Sequence, residues 1–139
     1  MDIGVKIFHG LSGDCRTIRK AVFMKEQGFR NEFDEIDGEA VHAVLYDGEV
    51  PVATGRLFND EDGGFVIGRI AVMKDHRGLS LGSRIVTELE KQAKDMGGKS
   101  ISLSAQCRVR EFYEKLGYTA TDDLRDDEGC PHVTMIKDI

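Results

Sequence analysis

The sequence has few of the features that mark secreted, membrane-spanning or disulfide-rich proteins. Its three cysteines are odd in number and far apart, and they form neither a disulfide framework nor a CxxC metal site. The longest apolar runs have four residues, whereas a membrane-spanning helix needs roughly 20. The first ten residues lack the basic start and apolar stretch of a secretory signal. We therefore expect a cytoplasmic protein with reduced thiols, no metal site and no membrane contact.

Positive charge is also in deficit, with 19 Lys and Arg against 25 Asp and Glu and a net charge of -6. A dedicated nucleic-acid binder needs a basic face to attract phosphates, so this class of function is disfavoured. The chain has 139 residues, of which 40% are hydrophobic. This size and composition predict a single domain over residues 1–139 with its own core.

Hydrophobic periodicity predicts alternating strands and helices. Two strand-like runs, 41–46 and 50–58, meet at Asp47-Gly48, a hairpin signal because that turn needs positive φ. The apolar run 65–73 predicts a strand buried on both faces, and after residue 80 the period changes to 3.6. The predicted order β-α-β-β-β-α-β-α-β-β gives a mixed sheet with helices packed on it, an α/β or α+β fold. The other predicted elements are strands at 5–9, 101–104, 118–121 and 133–136, helices at 15–23 and 109–116, and a loop at 26–39.

The stretch 70–83 is the most informative part of the chain. It combines a buried strand, a tight loop with Gly78 and Gly82, and the start of a helix. Such a junction exposes backbone N–H groups that, with the positive end of the helix dipole, suit a phosphate or pyrophosphate. Arg77 would add a positive charge. Taken alone, the same spacing also fits an ordinary turn before an ordinary helix.

Two motifs in this order resemble signatures of one family. Ile70-Ala71-Val72 followed by Arg77-Gly78-Leu79-Ser80-Leu81-Gly82 resembles motif A of the GCN5-related N-acetyltransferase (GNAT) family, whose loop pattern is (Q/R)xxGx(G/A). Gln106, followed by Phe112-Tyr113-Glu114-Lys115-Leu116-Gly117-Tyr118, is similar to the second signature of that family, N…(F/Y)Y.K.G(F/Y). The resemblance covers nearly the whole chain. It is nearest to a subgroup of short bacterial acetyltransferase-like proteins that share Val22-Phe23, Glu26-Gln27, Ala105-Gln106 and Pro131-His132.

The resemblance implies a mixed, mostly antiparallel sheet with helices on both faces, and acetyl-CoA as the acetyl donor. In that fold the strand holding 70–72 splays away from the strand at 101–104, and the pantetheine arm fills the gap. Ser80 stands where the motif has a glycine, and Gln106 stands where many relatives have an asparagine, so a side-chain contact from Gln106 is the least supported. The implied cofactor-binding residues are Ile70, Ala71, Val72, Arg77, Gly78, Leu79, Ser80, Leu81, Gly82, Ser83, Gln106 and Tyr113.

The implied reaction is direct attack of a neutral primary amine on the thioester in a ternary complex. An amide near Ala71 or Val72 would polarise the thioester carbonyl, and Tyr113 occupies the position of the family's general acid. A phenol with an ordinary pKa of about 10 is protonated at neutral pH and can donate to the CoA thiolate. Periodicity alone favours Tyr113 as a core aromatic on a short helix, and the motif reverses that preference.

The resemblance leaves the general base open, because the position where many relatives carry a carboxylate is Gly68. The candidates are His42, His132 and the carboxylates of residues 26–37. Residues 26–39 carry six acids against one base, a local charge of -5, which either attracts a cationic amine or marks a solvated loop. Arg56 and Arg69 either bind an anionic group of the acceptor or pair with neighbouring carboxylates. The acceptor-binding candidates are Glu26, Arg56, Arg69 and His132.

Two other functions stay open. Cys107 or Cys130 would carry the acyl group in a ping-pong mechanism, although no adjacent base is evident. Alternatively, the chain binds CoA or acetyl-CoA as a regulatory or interaction module without transferring acetyl, as the absent strand carboxylate suggests. The open edge of a small sheet also permits a homodimer, which no residue specifies. No motif identifies the amine acceptor.

Overall fold

The computed structural model describes residues 2–139 as one seven-stranded sheet with helices packed on it. The strands are β1 (Ile3–His9), β2 (Val41–Asp47), β3 (Val50–Asn59), β4 (Phe65–Val72), β5 (Ser100–Gln106), β6 (Thr119–Asp127) and β7 (Cys130–Asp138). The helices are α1 (Gly13–Arg19), α2 (Leu81–Asp95) and α3 (Arg110–Lys115). A π-helical turn (Lys20–Glu26) continues α1, and 3-10 turns lie at Glu35–Gly38, Lys74–His76 and Cys107–Val109. No helix within residues 2–139 combines the length and apolarity needed to span a membrane.

The sheet is mixed and mostly antiparallel, which confirms the predicted fold class. The strand order is β1-β2-β3-β4-β5-β7-β6, and the one parallel contact among residues 2–139 joins β4 to β5. This contact is short, because it pairs Phe65, Val66 and Ile67 with Ile101, Ser102 and Leu103 and then ends. Both strands continue beyond the last pair. A gap therefore opens in the middle of the sheet, as the resemblance implied.

Helices cover both faces of the sheet because successive residues of a strand point to opposite sides. On one face, Ala43 and Leu45 of β2 join the core beneath α2, where Leu89 is fully buried. On the other face, Val44 packs with Ile18 of α1. Each large apolar side chain buried in this way stabilises the fold by about 1.5–3 kcal/mol. The two layers hold β4 between α1 and α2.

A bulge distorts β4 beside the gap. Arg69 and Ile70 together stand opposite the single β3 residue Gly55, which shifts the strand register. Arg69 has a φ of 55°, in the left-handed region, and this conformation costs a non-glycine residue about 1–2 kcal/mol. Gly55 is needed here, because a Cβ at this position would lie 2.6 Å from Cδ1 of Ile70. The bulge thus changes the direction of the β4 residues that border the gap.

Three local predictions are wrong. The strand at 65–73 is not buried on both faces: Ile67 and Ala71 are buried, whereas the remaining β4 residues are half-buried. The first helix runs on through its π turn to Glu26. The last two strands are longer than predicted, because they form a hairpin around Glu128 and Gly129, which both have positive φ. The polar residues of β6 conceal this hairpin in the sequence.

Candidate active site

The loop between β4 and α2 presents a row of backbone N–H groups without internal partners. The first helical hydrogen bond of α2 joins the N–H of Arg84 to the carbonyl of Ser80. Within residues 2–139, the amides of residues 78–83 donate to no backbone carbonyl, and no side chain caps the helix. Gly78 and Ser80 have φ values of 82° and 61°, which turn the loop into the helix. These donors, at the positive end of a helix dipole, form a site for an anion.

This loop forms one wall of a cavity of about 670 Å³, here called the larger cavity. Its volume lies within the range of roughly 300–1,000 Å³ that is typical of small-molecule sites. The other walls come from β4 and from α3, including Phe112. Gly82 is needed beside that ring, because a Cβ at this position would lie 3.2 Å from Cζ of Phe112. The residues that line the cavity include Ile70, Ala71, Val72, Arg77, Gly78, Ser80, Leu81, Gly82, Ser83 and Tyr113.

The edge of β4 offers main-chain groups to this cavity. The N–H of Met73 donates to the carbonyl of Val52 in β3 at 2.8 Å. Because alternate residues of an antiparallel strand bond to opposite sides, the N–H and carbonyl of Val72 point toward the gap, whereas those of Ala71 point toward β3. Consistently, Nε of Arg77 donates to the carbonyl of Val72 at 3.1 Å. Of the two amides predicted to polarise a thioester, that of Val72 has the required direction.

Arg77 is held by Glu26 at this cavity. Both terminal nitrogens of the guanidinium donate to the carboxylate at 2.6 Å. The hydrogen bonds from Arg77 lower the pKa of Glu26, and those to Glu26 raise the pKa of Arg77. Both side chains are exposed, so the pair is screened by salt and readily exchanged. An anion bound to the amides of residues 78–83 would compete with Glu26 for this guanidinium.

A smaller cavity of about 180 Å³ adjoins the larger one. Its walls come from β4, from β5 and β7, and from the segment that follows the π turn. The predicted site residues Arg69, Gln106 and His132 line this cavity and not the larger one. The two cavities meet at the gap between β4 and β5, because they share the lining residues Gln27, Ile70, Arg108, Val109 and Tyr113.

Tyr113 stands where the two cavities meet. Its ring packs edge-on against Phe112 and Tyr118, with centroids 4.9 and 6.1 Å away. Burial raises the pKa of its phenol to about 12. Among residues 2–139, no hydrogen-bond partner holds its hydroxyl, so burial alone accounts for this shift. Tyr113 therefore carries a proton throughout the neutral range and has an uncommitted O–H group at the junction.

Three of the predicted catalytic, cofactor-binding and acceptor-binding residues line neither cavity. His42 is fully buried on the face that packs against α1, and its Nε2 lies 3.0 Å from the carbonyl of Asp37. It is therefore not placed to take a proton from an acceptor. Arg56 is also buried, and it donates to Asp34 at 2.7 Å and to Asp37 at 2.9 Å. Of the two roles considered for Arg56, the structure gives it the pairing with carboxylates. Leu79 also lines neither cavity, and it is exposed.

The acidic segment 26–39 is partly buried: Glu32 and Asp37 are buried in ion pairs, whereas Glu35 and Glu39 are exposed. Arg19, which is fully buried, bonds to Glu32 and to Asp37 at 2.6 Å each. Arg69 lies 3.2 Å from the same Glu32 carboxylate. Burial raises the pKa of Glu32, whereas hydrogen bonds from Arg19 and others outweigh burial at Asp37 and lower its pKa to about 2. These ion pairs fix the segment against the sheet and balance much of its charge.

The half-buried cysteines are not part of the junction. Neither Cys107 nor Cys130 lines the two cavities that meet at the gap. Burial raises the pKa of the Cys130 thiol, which lowers its thiolate fraction. No group of three or more His, Cys, Asp or Glu side chains in the described part of the chain is arranged to hold a metal ion.

Three residues that line both cavities were not assigned a role from the sequence. They are Gln27, Arg108 and Val109. Gln27 belongs to the pattern shared with the bacterial subgroup, and the other two stand directly before the helix of the second signature. Their adjacency to recognised motifs was the available signal. Nothing in their residue types indicates a cavity wall.

Comparisons with known proteins agree with this architecture. A model of the acetyltransferase (GNAT) domain family matches residues 13–139. The chain is 41% identical over 128 residues to the uncharacterized N-acetyltransferase YjcF of Bacillus subtilis (strain 168). This match covers 90% of this chain and 91% of that protein. The crystal structure of Escherichia coli ElaA has a TM-score of 0.85 at 26% identity and covers 98% of this chain and 99% of that one. An aminoglycoside 6'-N-acetyltransferase complexed with coenzyme A shares the fold, with a TM-score of 0.75, 17% identity and 96% of each chain covered.

Proposed function

The chain belongs to the acetyltransferase (GNAT) family, and we propose that it transfers the acetyl group of acetyl-CoA to a primary amine by direct attack in a ternary complex. Acetyl-CoA is the donor that this family uses. The observation that carries the proposal is the junction of the two cavities at the gap between β4 and β5, with Tyr113 lining both. A donor in one cavity and an acceptor in the other would meet beside the Tyr113 hydroxyl.

The larger cavity suits coenzyme A. Its unpartnered amides at residues 78–83 would hold the diphosphate, since they supply directed donors and the helix dipole supplies positive potential. Arg77 would add its charge once Glu26 releases it. The carbonyl of Val72, which keeps a second lone pair beside the one that accepts from Arg77, would hold the pantetheine arm along the open edge of β4. Bound in this way, acetyl-CoA supplies an activated acetyl thioester.

Two groups of the chain act on the thioester. The N–H of Val72 stabilises the negative charge that develops on the carbonyl oxygen when the amine attacks. Tyr113 donates a hydrogen bond to the sulfur as the C–S bond breaks. Its pKa of about 12 exceeds the ordinary thiol value of about 8.5, so transfer of its proton to the released thiolate is uphill by about 5 kcal/mol unless the phenol is reprotonated in the same step. The main contribution of Tyr113 is therefore a hydrogen bond to the developing thiolate.

The smaller cavity would hold the acceptor. Its volume of about 180 Å³ is below the roughly 300–1,000 Å³ of sites for drug-sized ligands. We therefore propose a small primary amine, or the amino end of a longer molecule, as the acceptor. Arg69 lines this cavity, although it also pairs with Glu32, so an anionic group of the acceptor would share that arginine.

A panel of primary amines tests the proposed function. The assay measures release of the CoA thiol from acetyl-CoA and the masses of the products, with the same mixtures lacking protein as controls. We expect thiol release matched one-to-one by an acetylated amine, and turnover retained in the Cys107→Ala, Cys130→Ala double variant. Tight binding of acetyl-CoA without any acetylated product would instead support a regulatory or interaction module.

A further inference from the structure

We infer that His132 is the general base that takes the proton from the acceptor amine. This inference rests on the proposed acetyl transfer. His132 lies on β7 and lines the smaller cavity, which it shares with Tyr113. It therefore stands on the acceptor side of the junction, where an ammonium group must lose a proton before its nitrogen can attack.

Its hydrogen bonding determines which ring nitrogen is basic. Nδ1 of His132 lies 2.8 Å from the carbonyl oxygen of Cys130. A carbonyl oxygen can only accept, so in the neutral ring Nδ1 carries the proton and Nε2 carries the lone pair. Nδ1 of His42 and Nδ1 of His76 are buried and have no hydrogen-bond partner among the described residues. Nε2 of His132 is not buried in this way. The basic nitrogen of His132 is thus open to a ligand.

The residue opposite His132 on the neighbouring strand cannot act as the general base. His132 pairs directly with Gln106 of β5, so both side chains stand on one face of the sheet. The Gln106 amide is committed: it donates to Gln27 and accepts from Arg108, each at 2.8 Å. Gln106 therefore fixes the wall beside His132 and has no basic atom of its own.

The charged groups around His132 come from every element packed against it. Glu32 is bonded to Arg19 and to Arg69, so its charge is already matched. The exposed Asp127 on β6 is the remaining carboxylate of the cavity, and it is the competing base. The titratable and charged groups that face the imidazole or share its cavity are Glu32, Arg69, Arg108, Tyr113, Arg125 and Asp127.

The protons balance in this scheme. The ammonium gives one proton to Nε2 of His132, and the neutral nitrogen then forms the N–C bond while the C–S bond breaks. The nitrogen loses its second proton as the thiolate gains one from the hydroxyl of Tyr113, and the phenol is reprotonated by that second proton. The imidazolium finally releases its proton to water. One amine proton thus ends on sulfur and the other in solvent.

The pH dependence of His132→Asn tests the assignment. Asparagine keeps an N–H donor near the position of Nδ1 for the Cys130 carbonyl, but it has no counterpart of Nε2. With the best amine of the panel, the wild-type kcat/KM should fall on the acid side within the range where imidazoles titrate, about pH 5–8. In His132→Asn that limb should disappear and the plateau should drop about 10²-fold. The Kd for acetyl-CoA should stay within about twofold, because His132 does not line the larger cavity.

Controls separate the outcomes. His9→Gln removes an exposed histidine of β1 outside both cavities and should leave the profile unchanged. Nitrogen NMR of the wild-type ring checks the tautomer without any substitution, and a proton on Nε2 above pH 8 would overturn the inference. So would a persistent acid limb with less than threefold loss in His132→Asn, or disappearance of that limb in Asp127→Asn. If the wild type acetylates no amine, the proposed function fails and the base assignment fails with it.

Discussion

Replacement of Tyr113 by phenylalanine removes one oxygen atom from the junction of the two cavities. The ring remains, and so do its edge-on contacts with Phe112 and Tyr118. Because no residue in the described range 2–139 bonds the hydroxyl, the substitution breaks no native hydrogen bond. The hydroxyl lines the cavities and is not among the sealed polar atoms, so the free energy of unfolding should change by less than about 0.5 kcal/mol.

The turnover number kcat, in contrast, should fall. A donor directed at charge that develops in the transition state contributes about 2.7–4 kcal/mol, and its loss lowers kcat by about 10²–10³-fold. The hydroxyl meets a charged sulfur only as the C–S bond breaks, so the affinity for acetyl-CoA should change by less than about twofold. Thiol release with a saturating amine gives kcat, calorimetry gives Kd, and thermal unfolding gives stability.

Tyr118→Phe is the matched control for this substitution. Tyr118 donates to the carboxylate of Glu90 at 2.8 Å, and it lines neither cavity that meets at the gap. A hydrogen bond to a charged group contributes about 1.5–3 kcal/mol, so this variant should lose stability and keep its kcat. The assignment of Tyr113 is refuted if Tyr113→Phe keeps kcat within threefold of the wild type. Equal losses of kcat and acetyl-CoA affinity would refute it as well.

Three further predictions test the cofactor loop and the ion pairs. Glu26→Gln should tighten CoA binding by about threefold and Arg77→Ala should weaken it, because Glu26 competes with the diphosphate for Arg77; calorimetry at two salt concentrations checks both. Gly78→Ala and Gly129→Ala place alanine at a φ of 82°, so each should lower stability by about 1 kcal/mol, but only the first should weaken CoA binding. The Asp37 carboxyl has a pKa lowered from 3.8 to about 2, so it stabilises the fold by about 2 kcal/mol above pH 4 and loses this contribution as the pH falls toward 2; Asp37→Asn should flatten that part of the stability curve in acid unfolding.

Local backbone chemistry explains which parts of the site the sequence predicts. The Asp47-Gly48 hairpin and the strand–loop–helix junction depend on residues a few positions apart, so their patterns are legible without tertiary information. The second signature likewise places Tyr113 on α3. The gap between β4 and β5 depends on strand order, which only the family resemblance supplied.

Long-range partners and backbone strain explain what the sequence leaves open. Arg19 bonds to carboxylates 13 and 18 residues away, and no local pattern reveals such a pairing. Asp37, which this pairing holds in place, faces Nε2 of His42 with its carbonyl, so that His42 lies in the buried interior and not in a cavity. Arg69 adopts positive φ within a bulge, for which glycine would be the usual signal. A polar hairpin such as β6–β7 has no apolar alternation on which a strand prediction could rest.

Backbone NMR of the nitrogen-labelled protein, titrated with acetyl-CoA, tests most directly whether the gap and its loop hold the cofactor beside Tyr113. We expect the largest amide shifts at residues 78–83 and at Val72, with smaller shifts at Tyr113 and its neighbours on α3. Saturation without movement of these amides, or shifts confined to another face of the sheet, would contradict the proposed arrangement.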